Sequence, residues 1–233
     1  MLENLDSRLK AAASFVREGT VAADIGTDHG YLICYLIQNG TCKRAYATDI
    51  NEKPLESAKS LIKELGLENK IETRLTDGLI GLPEKGIDDI IICGMGGETI
   101  IGILEQAKWV KSELVHFVFQ PMSRADTLRK WLSENGFRID EEKAVEAEGH
   151  IYTVMSVYYC GDIQTPDEMY CIIGELAENP DENAIKYIRW QANIQRGVAK
   201  GLLRSSLGET AALHRMSIAD MLDEQADELE KEL

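Results

Sequence analysis

Through residues 21–135 the chain alternates five nearly all-apolar, strand-like segments with stretches of helical periodicity, and this alternation restricts its fold more than any other feature. The segments are "VAADIG" (21–26), "RAYATDI" (44–50), "KIETRLTD" (70–77), "DDIIICG" (88–94) and "HFVFQP" (116–121); the helical stretches cover 30–39, 52–65, 97–109 and 124–135. A strand that is apolar on both faces must be covered on both faces, and strands joined by helices run parallel. An α/β chain with a parallel sheet between two helical layers follows. An amphipathic helix precedes the first strand, with Leu5, Leu9, Ala13 and Val16 on one side behind Asp6 or Ser7 as cap.

After Gly136 the pattern changes. "FRIDEEKAVEAEG" and "IYTVMSVYYC" are adjacent strand segments joined at Gly149 without a helix, which predicts an antiparallel hairpin at the sheet edge. "GDIQTP", with Gly161 and Pro166, marks a boundary beyond which every segment reads as helix. The expected division is an α/β domain over 1–160 and a helical, coiled-coil domain over 161–233. Leu222, Ala226, Leu229 and Leu233 recur at four- and three-residue steps, as in a paired helix.

Two groups of charges shape expectations about partners. The net charge of −15 opposes a polyanionic ligand, yet residues 209–233 concentrate eight acids against Arg215 and Lys231. In the helical stretch 183–208, by contrast, Lys186, Arg189, Arg196, Lys200 and Arg204 share an arc of about 80° with no acid in the stretch. Tyr187, Ile188, Ile194, Val198 and Leu202 lie opposite and are expected to pack. A basic stripe of this kind complements RNA phosphates, although most charged helix faces are only solvated.

The turn after the first strand, "DIGTDHGYL", has the glycines of a first strand–helix crossover: Gly26 permits a tight turn and Gly30 close helix packing. Asp28 and His29 stand where a dinucleotide loop requires a small residue, and Asp24 adds a second carboxylate. A diphosphate is repelled there, whereas an amino-acid head and a sulfonium suit the site, which points to S-adenosylmethionine. Asp49, followed by Ile50, ends the second strand at the position of a ribose-hydroxyl acceptor, and Asp77-Gly78 ends the third, where a carboxylate can accept an adenine amino group beside a turn. Gly94, Met95, Gly96 and Gly97 follow the fourth strand and let backbone approach a planar ligand or the transferring methyl. Each position alone also reads as an ordinary turn or cap; their register gives them weight together.

The motifs "VAADIGTDHGYL", "TDINEKPLESA", "TRLTDGL", "IIICGMGGETI" and "FQP…LRKWLSENGF" together resemble the bacterial tRNA (adenine-22-N1)-methyltransferase family. The resemblance implies a Rossmann-like S-adenosylmethionine-dependent domain, a C-terminal coiled coil, and methylation of adenine N1 in the D-arm region of tRNA. For that reaction Asp28, Tyr31 and the Gly94–Gly97 carbonyls, Met95 among them, are candidates for contact with the reacting centre. Adenine N1 carries a lone pair in its neutral form, so transfer requires alignment rather than a strong base.

Other readings remain open at this level: a methyltransferase for a small molecule or protein with the tail as a dimerisation element, a non-catalytic RNA-binding scaffold, or a nicotinamide dehydrogenase, the last opposed by Asp28. The Asn/Asp-Pro-Pro-aromatic element common in exocyclic-amine methyltransferases is missing after the fourth strand. Cysteines at 34, 42, 93, 160 and 171 form no CxxC pair, and the histidines are scattered. Reduced thiols, no metal, no membrane segment, no obligate protein partner and a cytoplasmic location are expected.

Overall fold

The computed structural model describes residues 5–204 and 208–233. Helix α1 (Ser7–Phe15) leads into strand β1 (Thr20–Ile25), followed by α2 (Tyr31–Gln38), β2 (Cys42–Asp49), α3 (Glu52–Glu64), β3 (Ile71–Leu75), β4 (Asp89–Gly96) and α4 (Gly97–Glu105). Strand β5 (His116–Ser123), helix α5 (Ala125–Glu134) and the hairpin β6 (Phe137–Ala147) and β7 (His150–Tyr159) complete the sheet. Helices α6 (Glu168–Ile173), α7 (Glu182–Leu202) and α8 (Glu209–Glu232) follow. The side chain of Asp6 accepts from Leu9 N, settling the cap of α1.

The sheet order is β3-β2-β1-β4-β5-β7-β6, with β1 to β5 parallel and β7 antiparallel to both neighbours. The chain runs outward from β1 through β2 to β3 and then returns to the other side of β1 as β4. This reversal opens a crevice between the C-terminal ends of β1 and β4, where ligands of open α/β sheets bind. Residue alternation covers both faces: Ile90 and Ile92 join one core with α4 and α5, while Ile91 joins the other with α1 and α2.

The helical region is anchored to the sheet edge rather than hung from it. Arg129 of α5 and Glu142 of β6 form a fully buried ion pair, Nη2 to Oε1 2.7 Å. Arg129 Nη1 also donates to the carbonyls of Cys171 (2.9 Å) and Ile172 (2.7 Å) in α6. Thr153 of β7 donates its hydroxyl to Glu142, and Glu175 N donates to Glu142 Oε2 at 3.1 Å. Gly174 has φ +57°, and a Cβ there would lie 2.0 Å from Glu142 Oε2, so only glycine lets the chain pass.

Helices α7 and α8 pack as a hairpin through Ile185, Ile188 and Ala192 against Ile218, Ala219, Leu222, Ala226 and Leu229. Three details correct the sequence reading. Leu233, expected in the buried stripe, lies past the last helical residue and is exposed. Ile194 and Val198, expected to pack, are also exposed, because α8 covers only one side of α7.

The third correction concerns the basic stripe. Lys186 pairs with Glu146 (3.3 Å), Arg189 with Asp227 (2.9 Å) and Glu230 (2.6 Å), and Arg196 with Asp220 (3.1 Å) and Asp223 (2.6 Å). Acids of α8 and β6 thus oppose the stripe, and three of its five cations tie elements together. Lys200 and Arg204 make no ion pair among the described residues and are exposed.

Candidate active site

Strand register brings the C-terminal ends of the parallel strands to one edge: Ile25 lies opposite Thr48 and Ile92, Asp49 opposite Leu75, and Cys93 opposite Gln120. Above this edge is a cleft of about 850 Å³. It is lined by Asp24, Gly26, Asp28, His29, Tyr31, Asp49, Ile50, Asp77, Gly78, Gly94 and Met95, all singled out from sequence. Gly30 and Gly96 do not line it. Gly30 instead admits α3, since a Cβ there would lie 3.0 Å from Ala58 Cβ, and Gly96 packs near the Ser123 hydroxyl.

The first loop is held by backbone hydrogen bonds: Gly26 N and Thr27 N both donate to Thr48 O at 2.8 Å, and Gly30 N donates to Thr27 O. Gly26 (φ +73°) fills a second need, because a Cβ there would lie 2.1 Å from Met95 Cε. The Met95 side chain therefore locks the end of β4 against the loop after β1. Asp28 adopts φ +51°, a conformation Asp tolerates better than most residues, and its exposed side chain lies 3.7 Å from His29.

Two carboxylates are buried beneath this surface. Asp24 accepts from the Thr27 hydroxyl at 2.7 Å. Burial pushes its pKa up to about 6, with the Thr27 hydrogen bond opposing and the charge of Asp49 adding to the rise. Asp49 accepts from Asn51 N at 2.8 Å and, more weakly, from Asp28 N at 3.4 Å. A buried acid with a like-charged neighbour favours a cationic ligand.

Other lining residues were not legible as site residues. Asp6 and Arg8 arrive from α1, and Gln120 from the end of β5. Gln120 is buried; its Oε1 accepts from Gly94 N (3.1 Å) and its Nε2 donates to Pro121 O (3.2 Å), fixing the end of β4. A lone amide closing the apolar run "HFVF" is the signal that marks it. Cys93 also lines the cleft, and burial, with Asp24 nearby, pushes its thiol far up, so it remains protonated.

The donor set fits an amino-acid sulfonium ligand: carboxylates at the ends of β1 and β2 and in the loop after β3, free backbone at the loops, and Gly94 (φ +76°) with open space where a side chain would stand. A diphosphate would face Asp24, Asp28, Asp49 and Asp77, with Arg8 as the one Lys or Arg among the described lining residues. Fold and cleft together define a Rossmann-like, S-adenosylmethionine-dependent methyltransferase.

Comparison with known proteins narrows the class. A family model described as a methyltransferase domain matches residues 5–155. The tRNA (adenine(22)-N(1))-methyltransferase of Bacillus subtilis (strain 168) is 32% identical over 195 residues, spanning 82% of each chain. The crystal structure of the B. subtilis m1A22 tRNA methyltransferase TrmK superposes with a TM-score of 0.81 at 27% identity, covering 97% of this chain and 98% of that one. M. capricolum TrmK in complex with S-adenosyl-homocysteine gives 0.79 at 27% identity, covering 96% and 98%. The chain belongs to the tRNA (adenine(22)-N(1))-methyltransferase family.

Proposed function

We propose that the protein methylates N1 of adenine 22 in tRNA, using S-adenosylmethionine held in the acid-ringed cleft. The carrying observation is the coincidence of that cleft with a family match whose curated member acts at this position. Asp24 and the loop after β1 would hold the amino-acid head, Asp49 the ribose hydroxyls, and Asp77-Gly78 the adenine amino group. The sulfonium supplies the methyl. The chain's contribution is alignment: Gly94, Met95 and Gln120 set the floor, while exposed Tyr31 offers a stacking surface for the incoming base. Asp28 stands beside it, where a carboxylate favours the cationic product.

Adenine N1 lies on the pairing edge, so the nucleotide must turn out of its stack before reacting. A groove of about 930 Å³ between α7 and the ends of β5 and β7 supports this route. It is lined by Met122, Arg124, Tyr152, Trp190, Ile194 and Val198 and adjoins the cleft through the Gln120–Met122 stretch. We infer that residues 1–160 act as the catalytic unit and 161–233 as a docking unit. Within the basic stripe, Lys200 and Arg204 are left for phosphates, while Lys186, Arg189 and Arg196 serve the helical packing.

Five free cysteines support a reducing, cytoplasmic setting. No helix among the described residues is long and apolar enough to cross a membrane. Incubation with S-adenosylmethionine and total tRNA, followed by nucleoside analysis, tests the reading: N1-methyladenosine supports it, and methyl transfer to a protein or small molecule instead overturns it.

A further inference from the structure

Arg8 occupies the ridge between the two cavities. It lines the cofactor cleft, while its neighbours Met122 and Tyr152 line the α7 groove. Its guanidinium lies over the Tyr152 ring, 5.4 Å from the centroid, and its Nη2 pairs with Asp6 Oδ2 at 2.9 Å. The other two donors are poorly used. Nη1 points at the Met122 sulfur, 3.1 Å away, a weak acceptor. Nε is buried and, among the described residues, is the side-chain nitrogen or oxygen atom left without a hydrogen-bond partner.

A buried, unpaired N–H on a cation is costly unless a ligand completes it. The geometry points to Arg8 as a substrate-binding residue that takes a phosphate of the nucleotide adjoining the target adenine, an inference that rests on the RNA-methylating reading above. The ring itself is a poor partner, because its methylated form is cationic; a phosphate oxygen offers the strong acceptors that Nη1 and Nε lack. Asp6, paired with the guanidinium, neutralises the cation until RNA arrives and opposes the incoming phosphate by its charge. Asp6 is also the cap of α1, so the first turn of that helix aims the cation.

Methyl-transfer kinetics on tRNA at several salt concentrations test this, alongside calorimetry with S-adenosylmethionine. Arg8→Ala is expected to raise the KM for tRNA about 10- to 100-fold, and to lower the slope of log binding constant against log salt by about 1. The loss of tRNA affinity, measured at saturating S-adenosylmethionine, should exceed any loss of cofactor affinity, which is measured beside it because Arg8 also lines the cofactor cleft. Arg8→Lys should keep the salt slope with a KM between those of wild type and Arg8→Ala. Asp6→Asn, which preserves a good cap, should lower KM by about two- to fivefold. If Arg8 merely fastens α1, Arg8→Ala lowers the melting temperature and cofactor affinity together with an unchanged salt slope, and Asp6→Asn does not lower KM; either result overturns the proposal. Wild-type protein inactive on tRNA would instead refute the functional reading itself.

Discussion

Arg129 and Glu142 meet at 2.7 Å with no exposed surface on either side chain, at the point where α5, the sheet edge and the helical region converge. The pair is completed by the α6 carbonyls, the Thr153 hydroxyl and Glu175 N. It joins the two halves of the chain through one polar cluster.

Breaking one side of this pair leaves an uncompensated buried charge. Arg129→Met should destabilise the protein by about 3–5 kcal/mol, lowering the melting temperature by roughly 2–4 °C per kcal/mol. Replacing both partners with apolar residues of similar volume should recover only part of the loss, because the α6 carbonyls, the Thr153 hydroxyl and Glu175 N lose their partners. Thermal denaturation of the single and double variants decides the point.

Gly174→Ala should reproduce part of that effect without altering any charge. The new methyl falls on Glu142 and the backbone is held at positive φ. A lowered melting temperature with unchanged cofactor affinity is the expected outcome, read by calorimetry beside a melting curve.

Asp24 gives the cofactor site a pH dependence. A cationic ligand needs its carboxylate ionised, and burial has pushed that ionisation up to about 6. Affinity for S-adenosylmethionine should therefore be full above pH 6 and fall as pH drops through it. The sign for stability is opposite: an acid with a raised folded pKa binds more protons folded than unfolded, so its contribution to apo stability rises as pH falls from about 6 towards 3.8. Asp24→Asn should bind weakly and without the pH step in a titration series.

The basic face of α7 divides into two kinds of residue. Arg196→Glu sets an acid against Asp220 and Asp223 and should loosen the α7–α8 hairpin, seen as a lower melting temperature. Lys200→Glu with Arg204→Glu should leave melting within about 1 °C, as surface changes usually do, and weaken tRNA binding with a shallower salt dependence. Filter binding at two ionic strengths separates the two cases.

Sheet and site differ in how much of each is visible from sequence. Segments such as "DIIIC" declare a strand because their apolar side chains must be covered on both faces, and that requirement is local. Asp24, Asp49 and Asp77 are legible for the same reason: a carboxylate closing an apolar strand or the loop beyond it lies at the edge where ligands bind. The α7 stripe misleads because its counter-charges come from α8 and β6, whose packing against α7 no helical periodicity encodes. Arg8 and Gln120 reach the cleft from elements more than 100 residues apart, and their meeting with the first loop depends on the finished sheet order. Exposed Ile194 and Val198 read as core because helical periodicity identifies an apolar face but not what covers it.

This cleft delivers a methyl group to one ring nitrogen of one tRNA position. Two unmodified transcripts, identical except for A or G at position 22, should be incubated with the protein and S-adenosylmethionine and mapped by nucleoside mass spectrometry. Close to one N1-methyladenosine per A22 transcript and none in the G22 transcript is the expected result; equal methylation of both, or methyl at another position, rules this specificity out.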